Sequence, residues 1–257
     1  MVKNGCELTV RPGAPALNRK YYNLNIISLC LQCKLLKEYN LLRYFGGIML
    51  KALNLSYKYN YRKIFSDISF TLYEGELMLL CGENGSGKTT LIRVLSGLES
   101  PDAGMTYWLG NKLLSSDDYN GSAAYLGHKN SLYIELSVLD NLELSALIMS
   151  EDLSGSKIKF CLEMFRLNEL SSALVKELSA GQQRRLAFAC LYIKGVKLWF
   201  LDEPFVCLDT VNQKLIENMI ENHIADGGIV VMTCHRKLDL SVPNIKYLEL
   251  GGRVLNV

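Results

Sequence analysis

From Leu50 onward, short apolar runs alternate with stretches of helical period. Lys51 to Tyr57 switches between apolar and polar positions, as a half-buried strand does. Tyr57, Tyr59 and Tyr61 continue that period of two. Phe65 to Leu72 predicts a second strand. Glu74-Gly75-Glu76 predicts a turn, and the apolar run Leu77 to Cys81 a buried strand. Thr90 to Leu95 then predicts a helix, which Ser96-Gly97 ends. Past the turn Pro101 to Gly104, Met105 to Leu109 and Ala123 to Leu126 predict two more strands.

Residues 128–177 change character. Ser137 stands as a cap before apolar positions at helical spacing, and Ile158, Cys161, Leu162 and Phe165 share one face of a second helix. A small helical lobe, about residues 128–180, is expected as an insertion into the core. Leu178 to Gln182 then opens a helix over Gln183 to Ile193. Leu198 to Leu201 is a fully apolar strand that ends in Asp202-Glu203-Pro204. Val211 to Asn222 is a helix, and Gly228 to Thr233 a buried strand that ends at Cys234-His235. Two short strands, Lys246 to Leu250 and Arg253 to Val257, close the chain. Strands alternating with helices predict an α/β fold with a mainly parallel, covered sheet. Such sheets bind ligands at the carboxyl ends of their strands. Gly82, Asp202 and His235 all follow such ends, so one edge can collect them.

Composition narrows the class. The 257 residues are 49% hydrophobic and 21% charged, enough for one sizeable core. Seven of the 28 Lys/Arg and two of the 26 Asp/Glu lie within residues 1–48, which leaves 21 basic and 24 acidic residues beyond. That balance does not describe a basic nucleic-acid binder. The eight cysteines are scattered and several sit inside apolar runs, which fits a reducing setting. Cys30 and Cys33 form a C-x-x-C with no second pair and no nearby His. Ile26 to Leu36, interrupted by Gln32 and Lys34, falls short of the roughly 18 apolar residues that span a bilayer. A membrane role therefore comes through a partner. Residues 1–48 read as a targeting peptide, an amphipathic arm, or translation from an upstream start. The last is favoured, because Met49 directly precedes the first strand.

The chemistry begins at G-E-N-G-S-G-K-T, Gly82 to Thr89, set between strand and helix. Gly82, Gly85 and Gly87 let successive N–H groups turn toward phosphate oxygens, and the following helix adds its positive end. Lys88 supplies a charge for the outer phosphates, and the Thr89 hydroxyl can ligate Mg2+. The nucleotide-binding set is Gly82, Glu83, Asn84, Gly85, Ser86, Gly87, Lys88, Thr89 and Thr90. Asp202 is the candidate Mg2+ ligand through water, and Glu203 the candidate general base for an attacking water. His235 is a candidate donor to the γ-phosphate.

L-S-A-G-Q, Leu178 to Gln182, resembles the signature of ATP-binding-cassette (ABC) ATPases. The motifs stand in that family's order from about residue 50 to the C-terminus. The resemblance implies the P-loop ABC-ATPase fold, with an antiparallel N-terminal β subdomain and an inserted helical one. It implies a head-to-tail homodimer on ATP, with Ser179, Gly181 and Gln182 facing the nucleotide of the second chain. It also implies a D-loop at Leu208-Asp209, a switch histidine at His235 and an adenine-stacking aromatic. Tyr59 fits that aromatic best by spacing, with Tyr57 and Tyr61 as alternatives. Within the superfamily the chain looks most like the CcmA family of haem-export ATPases. Phe65–Phe70, Tyr125–Lys129 leading to Glu135–Leu142, Leu178–Ala187, Leu198–Phe205 and Gly227–His235 carry that likeness. His128 stands where most transport ATPases have glutamine, and a coupling role is expected of it rather than metal ligation. The likeness implies a CcmB-like membrane subunit, other cytochrome c maturation proteins, and the cytoplasmic face of a bacterial inner membrane. Haem, or a haem chaperone, is the implied cargo. An ABC ATPase of another importer or exporter, and a soluble cassette ATPase, stay open as alternatives.

Overall fold

The first strand, β1 (Met49–Tyr59), buries Leu50 and Ala52 at a period of two, and a register shift past Ala52, with Asn54 at φ 49°, returns Leu55 to the same core. It turns through Asn60 and Tyr61, both at positive φ, into the antiparallel β2 (Arg62–Tyr73). With β4 (Ala103–Trp108) and β5 (Asn111–Leu113) these strands form an antiparallel sheet, ordered β2-β1-β4-β5. The structure is a computed structural model that describes residues 49–119, 121–147, 155–234, 240–250 and 254–255. These belong to a compact unit that begins at Gly46.

The second sheet holds β3 (Leu77–Cys81), β6 (Ala123–Leu126), β7 (Leu198–Leu201), β8 (Ile229–Thr233), β9 (Ile245–Glu249) and β10 (Val254–Leu255). Its order is β10-β9-β3-β8-β7-β6, parallel except for β10 against β9. The central strands β3, β7 and β8 are covered on both faces and are almost wholly apolar, whereas β9 near the edge carries Lys246 and Glu249. Met78, Leu80, Leu198, Phe200, Ile229 and Val231 pack with the antiparallel sheet and α1 (Lys88–Leu95). Leu77, Leu79, Trp199, Leu201, Val230 and Met232 face the other way.

That second face receives α2 (Val138–Leu147), α3 (Gly155–Met164), α4 (Ala180–Ile193) and α5 (Thr210–Ala225). The lobe has no separate core. Val138, Leu142, Ile158, Phe165 and Val175 belong to the same buried cluster as Trp199 and Leu201. Ser137 caps α2 by accepting the Asp140 N–H at 3.1 Å and donating to Asp140 Oδ2 at 2.6 Å. The expected α/β class, parallel sheet, antiparallel subdomain and helical insertion are all present. Two details differ. β5 is a short edge strand with one buried residue, too brief for a periodic signal. α4 starts at Ala180, not Gln183, because Ser179 is its cap and the signature forms its first turn. Residues 1–48, Cys30 and Cys33 among them, lie outside the described residues, as does Arg253. Among the described residues no helix is long and apolar enough to cross a membrane.

Candidate active site

β3 delivers the chain to Gly82, and α1 leaves it at Lys88. Gly87 is the helix cap at φ 98°, a left-handed conformation, and an added Cβ would stand 2.4 Å from Ile64 Cγ2. No side chain caps α1, and no acidic residue stands in its first turn. Its N-terminal N–H groups are thus left for an anion. The Lys88 ammonium is buried and donates to Gly82 O at 2.8 Å and Glu83 O at 2.9 Å, which folds it across the loop. Ser86 Oγ is buried without a hydrogen-bond partner. Thr89 is exposed, as are Glu83, Asn84 and Gly85, while Thr90 is half-buried. This is the geometry of a phosphate cradle: a curled backbone, a helix start, one ammonium and a spare hydroxyl.

The carboxylates arrive two strands away. Asp202, 2% exposed, follows β7, and Glu203 sits one residue on at φ 48°. Between β7 and β3 runs β8, which ends in Thr233. The Thr233 hydroxyl donates to Asp202 Oδ1 at 3.0 Å and accepts the Glu203 N–H at 2.7 Å. From the other side comes Arg184, only 3% exposed. Its guanidinium donates to Asp202 O, Glu203 O and Pro204 O at 3.2, 2.8 and 3.1 Å. It also donates to Gly127 O at 2.8 Å and Asn130 Oδ1 at 3.0 Å. Burial draws its pKa below the usual guanidinium range, and the nearby Cys207, Asp202 and Glu203 oppose that shift.

The residues read from the sequence are distributed as follows. Ser179 caps α4 in a reciprocal box with Gln182: Ser179 N–H donates to Gln182 Oε1 at 2.8 Å, and Gln182 N–H to Ser179 Oγ at 3.3 Å. Gly181 lies against the loop before α5, where an added Cβ would meet Cys207 O at 2.9 Å. Asp209 caps α5 and accepts the Asn212 N–H at 2.7 Å. His128 is exposed beside the buried Gly127, past the end of β6. Tyr59 is 63% exposed at the end of β1, and Tyr61 is fully exposed. Tyr57 stacks on Phe65 with ring centroids 6.0 Å apart, and a hydrogen bond to Glu99 raises its pKa, so its ring is already engaged. His235 lies outside the described residues.

Two residues that hold the site carry no motif in the sequence. Thr233 stands there as the last residue of a buried strand. Arg184 had a legible sign: with Ala187, Phe188 and Leu191 it occupies the buried face of α4, where an arginine needs partners.

Residues 65–206 match the ABC transporter family. The chain belongs to that family. As an ABC transporter ATPase subunit it binds nucleotide. The chain is 40% identical over 190 residues to the cytochrome c biogenesis ATP-binding export protein CcmA of Nitrosospira multiformis, across 74% of this chain and 92% of the relative. It is 36% identical over 203 residues to the protein of the same name from Escherichia coli, across 79% and 96%. In fold it is similar to a dimeric ATP-binding cassette in a post-hydrolysis state bound to ADP and phosphate. The TM-score is 0.71 at 23% identity, over 80% of this chain and 98% of the other. An ATP-binding subunit of an ABC transporter gives a TM-score of 0.68 at 27% identity, over 79% and 85%.

Proposed function

We propose that this ABC ATPase drives the export step of cytochrome c biogenesis, with two copies closing on ATP against a CcmB-like membrane subunit. The cargo is haem or a haem-carrying chaperone, and the subunit works on the cytoplasmic face of a bacterial inner membrane. The relatives named CcmA support the pathway. The observation that carries hydrolysis is the gathering of the Gly82–Thr89 loop, Asp202, Glu203 and Thr233 along the carboxyl ends of β3, β7 and β8. In this reading residues 49–257 are the ATPase domain, with a helical subdomain at about 128–180, and residues 1–48 are dispensable for hydrolysis.

Lys88, the loop N–H groups and the Ser86 hydroxyl hold the phosphates, and Tyr59 stacks on adenine. The donors available to Mg2+ are the exposed Thr89 hydroxyl and, through water, the Asp202 carboxylate, both hard oxygens that suit this ion. Mg2+, when bound, offsets the charge on the outer phosphates. Glu203 takes the proton of a water as its oxygen bonds to the γ-phosphorus and ADP leaves. Ser179, Gly181 and Gln182, at the start of α4, meet the γ-phosphate bound by the second copy. His128 and Asp209 pass the closure to the partner, and His235 donates to the γ-phosphate.

Glu203→Gln tests the core of this reading. ATP binding stays intact, an ATP-bound dimer accumulates, and hydrolysis falls on the order of a hundredfold or more. Normal turnover removes Glu203 as base. Ser179→Arg blocks hydrolysis without weakening binding to the monomer; a fully active monomer sinks the shared site. In cells lacking this gene, the full chain restores c-type cytochromes and Glu203→Gln does not. Unchanged cytochrome content in such cells refutes the pathway.

A further inference from the structure

A guanidinium has five N–H groups in a fixed planar fork. In Arg184 each finds one acceptor: Nε–H meets Pro204 O, the Nη1 pair meets Gly127 O and Asn130 Oδ1, and the Nη2 pair meets Asp202 O and Glu203 O. None of these acceptors is a carboxylate oxygen. The acceptors come from two segments far apart in sequence, the turn after β7 and the loop after β6. Ala187, Phe188 and Leu191 are buried on the same face of α4, and the guanidinium stands 5.5 Å from the Phe188 ring centroid. Arg184 therefore cannot leave the turn unless the helix goes with it.

What the fork holds is the root of one side chain. Glu203 is a non-glycine residue at φ 48°, a conformation that costs about 1–2 kcal/mol. Both of its main-chain polar groups are claimed, the N–H by Thr233 Oγ1 at 2.7 Å and the C=O by Arg184 at 2.8 Å. Such double restraint is what keeps a left-handed residue in place and fixes the direction in which its carboxylate leaves the backbone.

We propose that Arg184 is the positioning residue for Glu203, and that it ties the aim of the hydrolytic base to the helix that carries the signature. This rests on the reading of Glu203 as the base. Ser179, at the cap of α4, lies five residues before Arg184, about 7–8 Å along the helix. One rigid segment thus carries both the surface meant for the second copy's nucleotide and the clamp on this chain's own base. A shift of α4 on closure re-aims Glu203 directly. The Gly127 and Asn130 contacts tie the His128 loop to the same fork. Lysine, with three donors and no plane, cannot reproduce it.

The test is steady-state hydrolysis by the full chain as wild type, Arg184→Lys, Glu203→Gln and the double variant, with ATP affinity and thermal melting measured on each. Arg184→Lys lowers kcat about tenfold to a hundredfold and leaves KM and ATP affinity within about twofold. In the Glu203→Gln background it lowers the residual rate no further. Arg184→Lys with wild-type kcat, or an equal further loss in the double variant, overturns the proposal. If Arg184→Lys does not fold, Asn130→Ala decides. It removes one acceptor from a half-buried position, and is expected to lower kcat about twofold to fivefold at unchanged KM, with the melting temperature lowered by only a few degrees. Unchanged kcat in Asn130→Ala then overturns the proposal. An active Glu203→Gln refutes the base itself; an inactive Glu203→Gln beside a fully active Arg184→Lys refutes only the role of Arg184.

Discussion

Thr233 and Asp202 are joined across adjacent parallel strands, with Thr233 Oγ1 donating to Asp202 Oδ1 at 3.0 Å. The same oxygen takes the Glu203 N–H, so one buried hydroxyl orients both residues of the acidic pair. Thr233→Val keeps the shape and deletes both bonds. It is expected to cost about 1–3 kcal/mol in urea unfolding, because a buried acceptor and a buried donor lose their partner. Hydrolysis should fall roughly tenfold or more, and Thr233→Ser should restore most of both. A Thr233→Val protein with wild-type rate and midpoint would falsify this account.

The His223 ring lies flat on Trp199, with centroids 3.6 Å apart and planes 5° apart. Burial lowers its pKa from 6.5 to about 4; the Lys197 carbonyl, 3.2 Å from Nε2, opposes the shift, and the Lys197 charge adds to it. The folded protein holds the ring neutral where the unfolded chain protonates it. Stability is therefore whole above the unfolded value and is lost as pH falls from about 6.5 to about 4, up to roughly 3 kcal/mol from this group. His223→Phe keeps a flat ring and removes that portion of the pH dependence. Urea midpoints of both proteins at about pH 7 and about pH 4.5 check it, since the wild type should lose more on acidification.

Gly228 makes room for that stack. A Cβ there would stand 2.2 Å from His223 Nε2 and 2.4 Å from Cδ2. Gly228→Ala must push the imidazole off Trp199 and is expected to cost about 1–3 kcal/mol. Adding His223→Ala relieves the clash, so the double variant loses less than the two single losses combined. Additive losses in urea unfolding would show that the contact is not the cause.

At the nucleotide loop, Gly87→Ala meets two penalties, a φ of 98° and a Cβ 2.4 Å from Ile64 Cγ2. The loop must open to admit it. ATP affinity is expected to fall about tenfold or more, by equilibrium binding, since a left-handed alanine alone costs on the order of 1–2 kcal/mol. Gly85→Ala has open space around its Cβ and meets only the strain of φ 79°. It should therefore be milder; equal losses for both would remove the Ile64 contact from the explanation.

Much of the site could be read from local pattern. The strand, glycine loop and helix around Gly82–Thr89 declare themselves because each is set by neighbours in sequence. The same holds for the apolar strand ending at Asp202, since its burial pattern is set within a few residues. The helix α4 starts three residues before the expected Gln183, because the signature supplies its own cap, Ser179, and first turn. Spacing favours Tyr59 among the three tyrosines; the stacking of Tyr57 on Phe65 is a tertiary contact that no spacing shows.

The amino-acid sequence by itself determined the α/β class, the phosphate loop, the acidic pair and the family, because these rest on periodicity and short motifs. The tertiary structure alone decided the strand order β3-β8-β7, which sets Thr233 between the loop and the carboxylates. It alone revealed that Arg184 spends all five donors on two distant segments. Hydrogen bonds to main-chain carbonyls leave no trace in the identity of the acceptor, since every residue carries one. A donor such as Arg184 can be suspected from its buried position on a helix, but its partners are chosen only when the sheet has brought their backbones together.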